Sequence, residues 1–339
     1  AMNKRIGFTL SRRSFVVWVL SFCLSYWSWP SFFNLVHEGG GSGLFAARLN
    51  ATGGTRFVVW AQLFHAALEH PWFGWGLREV STAHNAVALM YPGDMAEAFT
   101  YAHNVVLDLL VGIGFPLTLV LVVLVTRWMW RRACAVDSVL AWYCLAIAIP
   151  FVVHSMLEFP FAYAYLILPV MLCLGVLEGR LSSDSSLRVP SWLAAAILGL
   201  LSGMMVWSAI EYVEVEEDYR IVRFESLQLG QTPSAYDRPH IVLLTQLGAL
   251  LEAGRIVPAP QMQPETIELA RKVALRFPWP ATQNRYALAL ALNGNAEEAV
   301  RQLRVIKALH GAKEYARVRA NWSELGNTKY PQLKAVAIP

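Results

Sequence analysis

Residues 101–125, YAHNVVLDLLVGIGFPLTLVLVVLV, place a histidine–asparagine pair at the mouth of a long apolar run. A bilayer core is crossed by a helix of about 20 mostly apolar residues, because the backbone must satisfy its own hydrogen bonds there. The only formal charge in the run is Asp108, about one turn past the pair. A carboxylate at that depth is costly unless it lines a cavity or finds a partner. The stretch therefore predicts a membrane span, and it puts an imidazole (His103) and an amide (Asn104) at one end of it.

Four more stretches have the same character: about 14–36, 138–158, 160–178 and 191–210. The third and fourth spans are divided at "EFP", where Pro160 ends one helix and begins the next. The whole composition agrees with a membrane protein. Of 339 residues, 56% are hydrophobic and only 15% charged, against about 25% charged in soluble domains. Thirteen Trp add to the signature, since indole rings favour the bilayer interface. The four cysteines, Cys23, Cys134, Cys144 and Cys173, lie in or beside apolar runs. They form neither a disulfide framework nor a zinc pattern, and are expected to be structural thiols.

Orientation follows from the short loops. Lys4, Arg5, Arg12 and Arg13 precede the first span, Arg127, Arg131 and Arg132 follow the second, and Arg180 and Arg188 lie between the fourth and fifth. Five spans put all three clusters on one side, which is then cytoplasmic. The expected fold is all-α and polytopic. It comprises a cytoplasmic stub and first span (1–36), an exterior loop with an amphipathic helix (37–103), four spans (104–210) and an exterior helical domain (211–339). In a bacterium this means the inner membrane, with the N-terminus cytoplasmic and the C-terminal domain periplasmic.

The last domain contains "NRYALALALNGNAEEAVRQLRVIKALHG" (284–311), read as two antiparallel helices joined at "NGN", with acids at the positive start of the second. It resembles one tetratricopeptide-like hairpin, with a further helix expected in "PETIELARKVALRF" (264–277). Such a unit serves as a docking platform for a protein or as a cap on the membrane domain. "EYVEVEEDY" (211–219) is expected to be a solvated helix face.

Four groups of residues are candidates for chemistry near the outer boundary. Arg56 is expected to open the amphipathic helix of "TRFVVWAQLFHAALEHPWFGWGL" (55–77), with Trp60, Leu63, Phe64 and Ala67 on one face. An arginine there presents a planar fork to phosphate oxygens, or snorkels to lipid headgroups. His103 can take a proton from a hydroxyl near neutral pH, Asn104 can orient it or a substrate, and Asp108 can pair with this site. His84-Asn85 repeats the dipeptide in a loop, so the dipeptide by itself is weak evidence. "HSMLEFPFAYAY" (154–165) spaces His154 and Glu158 four apart and adds Tyr163 and Tyr165. Arg78, just after "GWGL", is a second candidate phosphate ligand or an ordinary loop cation. His65 and His70 read as interfacial fillers. No GxxxxGK[ST], HExxH or GxSxG occurs, and the exterior loop has no Asp-x-Asp pair, so nucleotide, zinc and esterase chemistry lack support.

The three segments at 55–77, 103–116 and 154–165, in this order, resemble the O-antigen ligase/polymerase superfamily. Within it they are most similar to the bacterial O-linked protein oligosaccharyltransferases that glycosylate pilin. The resemblance implies transfer of a glycan from an undecaprenyl-diphosphate carrier to Ser or Thr of a periplasmic protein, with no metal, cofactor or nucleic acid. It implies that Arg56 engages the carrier diphosphate and that His103 is the essential histidine, acting as general base. Arg78, Asn104, Asp108, His154, Glu158 and Tyr163 are then expected around the substrate. The implied partners are the lipid-linked oligosaccharide, the acceptor protein and membrane lipids. The family commonly has an acid where Gly112 stands, and about twice as many spans, so this sequence looks like its C-terminal part. The other readings are ligation to lipid A-core, polysaccharide polymerisation, or a non-catalytic membrane-anchored interaction module.

Overall fold

The computed structural model describes residues 42–91, 98–181, 189–226, 232 and 236–339, and no strand occurs among them. The helices are α1 (Ser42–Glu69), α2 (Val80–Val87), α3 (Val105–Ala135), α4 (Val139–Ser155), α5 (Ala164–Leu181), α6 (Ser191–Ser226), α7 (Thr245–Gly254), α8 (Pro264–Arg276), α9 (Pro280–Leu292) and α10 (Ala296–Thr328). The chain is an all-helical membrane protein. Helices α3, α5 and α6 are long and apolar enough to cross a bilayer, while α4 is a shorter apolar helix of 17 residues. The span expected at 14–36 lies outside the described residues. The described chain divides into two units, residues up to Leu77 with Tyr101–Ser186, and Arg78–Thr100 with Leu187–Pro339.

In the first unit, α1 packs Val59, Leu63, Ala66 and Ala67 inward while Phe57, Phe64 and Leu68 face outward. The buried stripe is thus offset from the predicted face, and Phe64 is on its exposed side. Helix α1 also starts earlier than expected, so Arg56 lies well inside it. The Gly53-Gly54 pair lowers helix propensity by about 1 kcal/mol per residue but does not force an end. Consequently no N-terminal peptide groups surround Arg56.

Helix α3 is interrupted at Gly114, with φ 77° and ψ 174°, directly before Phe115-Pro116. The freed backbone groups are taken up by the segment after α1. Trp75 N–H donates to the Val111 carbonyl at 2.7 Å, Gly76 N–H to that of Gly112 at 3.1 Å, and Phe115 N–H to that of Pro71 at 2.8 Å. A broken helix is tolerated in a membrane protein where such neighbours satisfy it. The approach demands glycine on both sides. A Cβ on Gly74 would lie 2.5 Å from the Val111 oxygen, and one on Gly114 would lie 2.6 Å from the Trp72 carbonyl carbon. At the other end of α3, Glu178 of α5 pairs with Arg132 at 2.5 Å and accepts from Trp128 Nε1 at 3.0 Å. Cys144 lies in the small core between α4 and α5, beside Leu145 and Leu177.

In the second unit, α8, α9 and α10 form consecutive packed helices around Tyr286, Leu303, Ile306 and Trp322. The 284–311 hairpin has its turn at Gly294 (φ 89°), and Asn295 caps α10 by accepting from Glu298 N–H at 3.2 Å. Pro331–Ala335 closes the core as a 3-10 turn. Two acids of "EYVEVEEDY" are not solvated as expected. Glu211 accepts the backbone N–H groups of Val242, Leu243 and Leu244, covering the start of α7, and Asp218 binds Arg255 through two bonds of 2.6 and 2.9 Å. They lie one face apart from Glu214, Glu216 and Glu217, which are exposed. Residues 78–100 belong to this unit rather than forming one loop with 37–77. Ser81 Oγ donates to the Arg276 carbonyl, and Ala88 packs on Val305 and Leu309.

Candidate functional site

The site of the first unit begins at Ala102, a fully buried residue whose peptide is held from both sides. The Trp60 indole on α1 donates to its carbonyl at 2.7 Å, and its N–H donates to Asp108 Oδ1 on α3 at 3.0 Å. The clamp holds the next residue, His103, at φ 54°, a left-handed conformation that a side chain rarely adopts unless its surroundings impose it. Asn104 then caps α3. Its Oδ1 accepts from Val106 and Leu107 N–H at 3.0 and 3.2 Å, and its Nδ2 donates to the Met156 carbonyl at 3.2 Å. The amide therefore joins α3 to the turn after α4.

That turn delivers Glu158. Helix α4 ends at Ser155, and the N–H groups of Leu157 and Glu158 fold back onto the His154 carbonyl at 3.0 and 2.8 Å. Pro160 opens the 3-10 turn that follows. Glu158 leaves the helix and turns to residues remote in sequence. One carboxylate oxygen lies 2.5 Å from His103 Nδ1, and the other pairs with the Arg56 guanidinium. Because an ionised carboxylate only accepts, Nδ1 is the protonated nitrogen in this pair, and Nε2 becomes the basic one. Arg56 and Glu158 are 36% and 32% exposed. At that exposure an ion pair in water contributes about 0–1 kcal/mol, so its use is positional.

Aromatic rings wall the site. Phe159 stacks on Tyr101 with centroids 4.8 Å apart and meets the His103 ring edge-on at 4.8 Å. Tyr163, 41% exposed, lies 5.6 Å from Phe159. Of the sequence candidates, Arg56, His103, Asn104, Asp108, Glu158 and Tyr163 are assembled here. His154 is exposed at the end of α4, and Glu158 pairs with His103 and Arg56 rather than with it. Arg78 belongs to the second unit, at φ 66°, with its carbonyl accepting from the Arg276 guanidinium. His84, of the repeated dipeptide, is buried in that second unit and serves its core. Sequence reasoning missed Trp60 as a donor, the Met156 carbonyl, and the Tyr101–Phe159 stack. The only signal for them was the clustering of aromatics beside polar residues in segments already singled out.

The site thus sets an imidazole held by a carboxylate beside a guanidinium at the mouth of a broken apolar helix of a membrane protein. The chain belongs to the family described as virulence factor membrane-bound polymerase, C-terminal, whose model matches residues 142–324. The model described as O-antigen ligase matches residues 4–122. Glu158 thus falls in one matched region, and Arg56 and His103 in the other. The chain is similar to a general O-oligosaccharyltransferase of Acinetobacter baylyi (strain ATCC 33305 / BD413 / ADP1), with 26% identity over 319 residues, 90% of this chain and 54% of that protein. It is also similar to a ComP-specific O-oligosaccharyltransferase of the same strain, with 30% identity over 170 residues, 50% of this chain and 29% of that protein. The chain spans about half the length of the first of these relatives and less of the second. No solved structure matches it.

Proposed function

We propose that the chain transfers a glycan from an undecaprenyl-diphosphate carrier to a Ser or Thr hydroxyl of an acceptor protein such as pilin. The observation that carries this reading is Glu158, bridging His103 and Arg56. The acceptor hydroxyl attacks the anomeric carbon, and the bond from that carbon to the diphosphate oxygen breaks with its electron pair passing to the diphosphate. His103 Nε2 takes the hydroxyl proton as the new bond forms. Glu158 holds the ring in the correct tautomer and balances the imidazolium, the logic of a carboxylate–histidine pair. Only one Arg56 nitrogen faces Glu158 in the pair, and the remaining N–H donors of a guanidinium suit the oxygens of the leaving diphosphate. This chemistry uses neither metal nor nucleotide.

The inner membrane, with the site on the periplasmic face, suits this reaction. Residues 78–91 pack directly on α8 and α10, so they lie on the same side of the bilayer as those helices. The chain between them must therefore cross an even number of times. Crossings by α3, α4, α5 and α6 meet that condition, and the short α4 is needed to keep the count even.

A second reading within the same chemistry is transfer to lipid A-core or to a growing polysaccharide, favoured by the polymerase and ligase descriptions of the matching families. The test is glycan transfer in cells that supply lipid-linked oligosaccharide and pilin, with His103→Ala and Arg56→Ala beside the parent. Modified pilin with the parent, and none with two stably inserted variants, supports the first reading. Sugar on lipid A-core alone supports the second. Variants as active as the parent would exclude this site.

A further inference from the structure

The second unit contains a cavity of about 590 Å³ between the C-terminal end of α6, the end of α7 and helix α9. Three arginines, Arg238, Arg255 and Arg285, line it against one carboxylate, Glu225. They are not equivalent. Arg255 is fully engaged by Asp218 and by Glu225, the latter at 2.8 Å. Arg238 lies within electrostatic reach of Asp218. Arg285, on α9 and half-buried, has neither an ion pair nor a hydrogen bond among the described residues. Its guanidinium is desolvated without compensation, which burial registers by pulling it below the ordinary arginine value. A desolvated cation facing a cavity is a strong point for a carboxylate, because the fork geometry and the low dielectric both favour a paired oxyanion.

The rest of the lining tells which carboxylate. Ile256, Val257 and Leu288 give the cavity apolar walls, with Val257 68% exposed. A second cavity of about 320 Å³ adjoins the first at Arg238 and Arg255, but Asp218 and Glu252 line it as well, so the surplus of arginine is confined to the first. A free anion fills only a small part of such a volume. An extended polypeptide carrying acidic and apolar side chains fills it and matches both kinds of wall. We propose that this first cavity binds an acidic segment of a partner polypeptide, with Arg285 pairing with one of its carboxylates. The inference is independent of the glycosyl-transfer reading and concerns a different unit of the chain.

The test uses the full chain in lipid nanodiscs and a short fluorescein-labelled peptide of alternating Asp and Leu, read by anisotropy. The expected result is saturable binding of this peptide, absence of binding by the counterpart with Asn for Asp, and a loss of about tenfold or more in affinity for Arg285→Gln. Ala281→Glu, at an exposed position on the cavity edge, supplies a competing carboxylate without touching the core, and should also abolish binding. Thermal unfolding of both variants identifies one that has lost its fold, and the other then decides. Equal binding of the Asn peptide, or unchanged affinity in a folded variant, overturns the proposal. So does inorganic phosphate that competes as tightly as the peptide binds, which would make this a simple anion site. Glycan transfer is not read in the experiment, so its failure leaves the function of the first unit untouched.

Discussion

Glu158 stands 2.5 Å from Nδ1 of His103, although the two residues come from the turn after α4 and the loop before α3. The contact fixes the orientation of an imidazole at a helix mouth.

On the proposed mechanism, replacing Glu158 with Gln removes the charge that would balance a protonated His103 while keeping the size. Glycan transfer should fall on the order of a hundredfold or more, since an amide partner stabilises the wrong tautomer. Glu158→Asp should retain more activity than Glu158→Gln. Single-turnover transfer in nanodiscs measures both, with membrane levels matched.

Trp60 and Asp108 hold the two sides of the Ala102 peptide. Trp60→Phe deletes one hydrogen bond with little change of shape and should cost about 1 kcal/mol of site order. Transfer should drop several-fold with insertion unaffected. The double variant with Asp108→Asn should be less than additive, because both residues act on one peptide.

Gly114 and Gly112 should behave differently despite being neighbours in one motif. Gly114→Ala meets both a positive φ and a carbonyl at 2.6 Å, and should cost roughly 3 kcal/mol or more. The closest atom to a Cβ on Gly112 is 3.5 Å away, so Gly112→Ala should insert and unfold like the parent. Thermal unfolding in detergent distinguishes them.

His84 is buried in the second unit, and burial, with His310 nearby, pulls its pKa from 6.5 down to about 4. The folded state therefore binds fewer protons than the unfolded one between those values. Its contribution is fully present above pH 6.5 and is lost as pH falls towards 4, amounting to about 3 kcal/mol over that window. Unfolding of the parent should become markedly easier at pH 5 than at pH 7.5. His84→Leu should flatten that slope, and an unchanged slope would remove His84 as its source.

The proposed even number of crossings is open to labelling. In a cysteine-free background, Met90→Cys and Val257→Cys, both at exposed positions, should react with an impermeant maleimide from the same side of intact cells. Trp130→Cys, near the far end of α3, should be protected. Opposite labelling of Met90→Cys and Val257→Cys contradicts the shared unit.

The apolar runs and their polar punctuation determined a helical membrane chain, because spanning length and apolarity are local properties that no tertiary partner can reverse. The hairpin at 284–311 was legible for a similar reason: its helical period and turn residues agree over a long window. His103, Arg56 and Glu158 were identifiable as polar groups at expensive positions, yet their relation was not. Spacing suggested His154 as the partner of Glu158, because helical neighbours four apart share a face. The chain leaves the helix at Ser155, and that early end turns the carboxylate towards α1 and α3. The break at Gly114, the clamp on Ala102 and the burial of Glu211 and Asp218 share this origin. Each depends on a backbone or side-chain group that must find its hydrogen-bond partner in a distant segment, and only the tertiary structure decides which segment arrives.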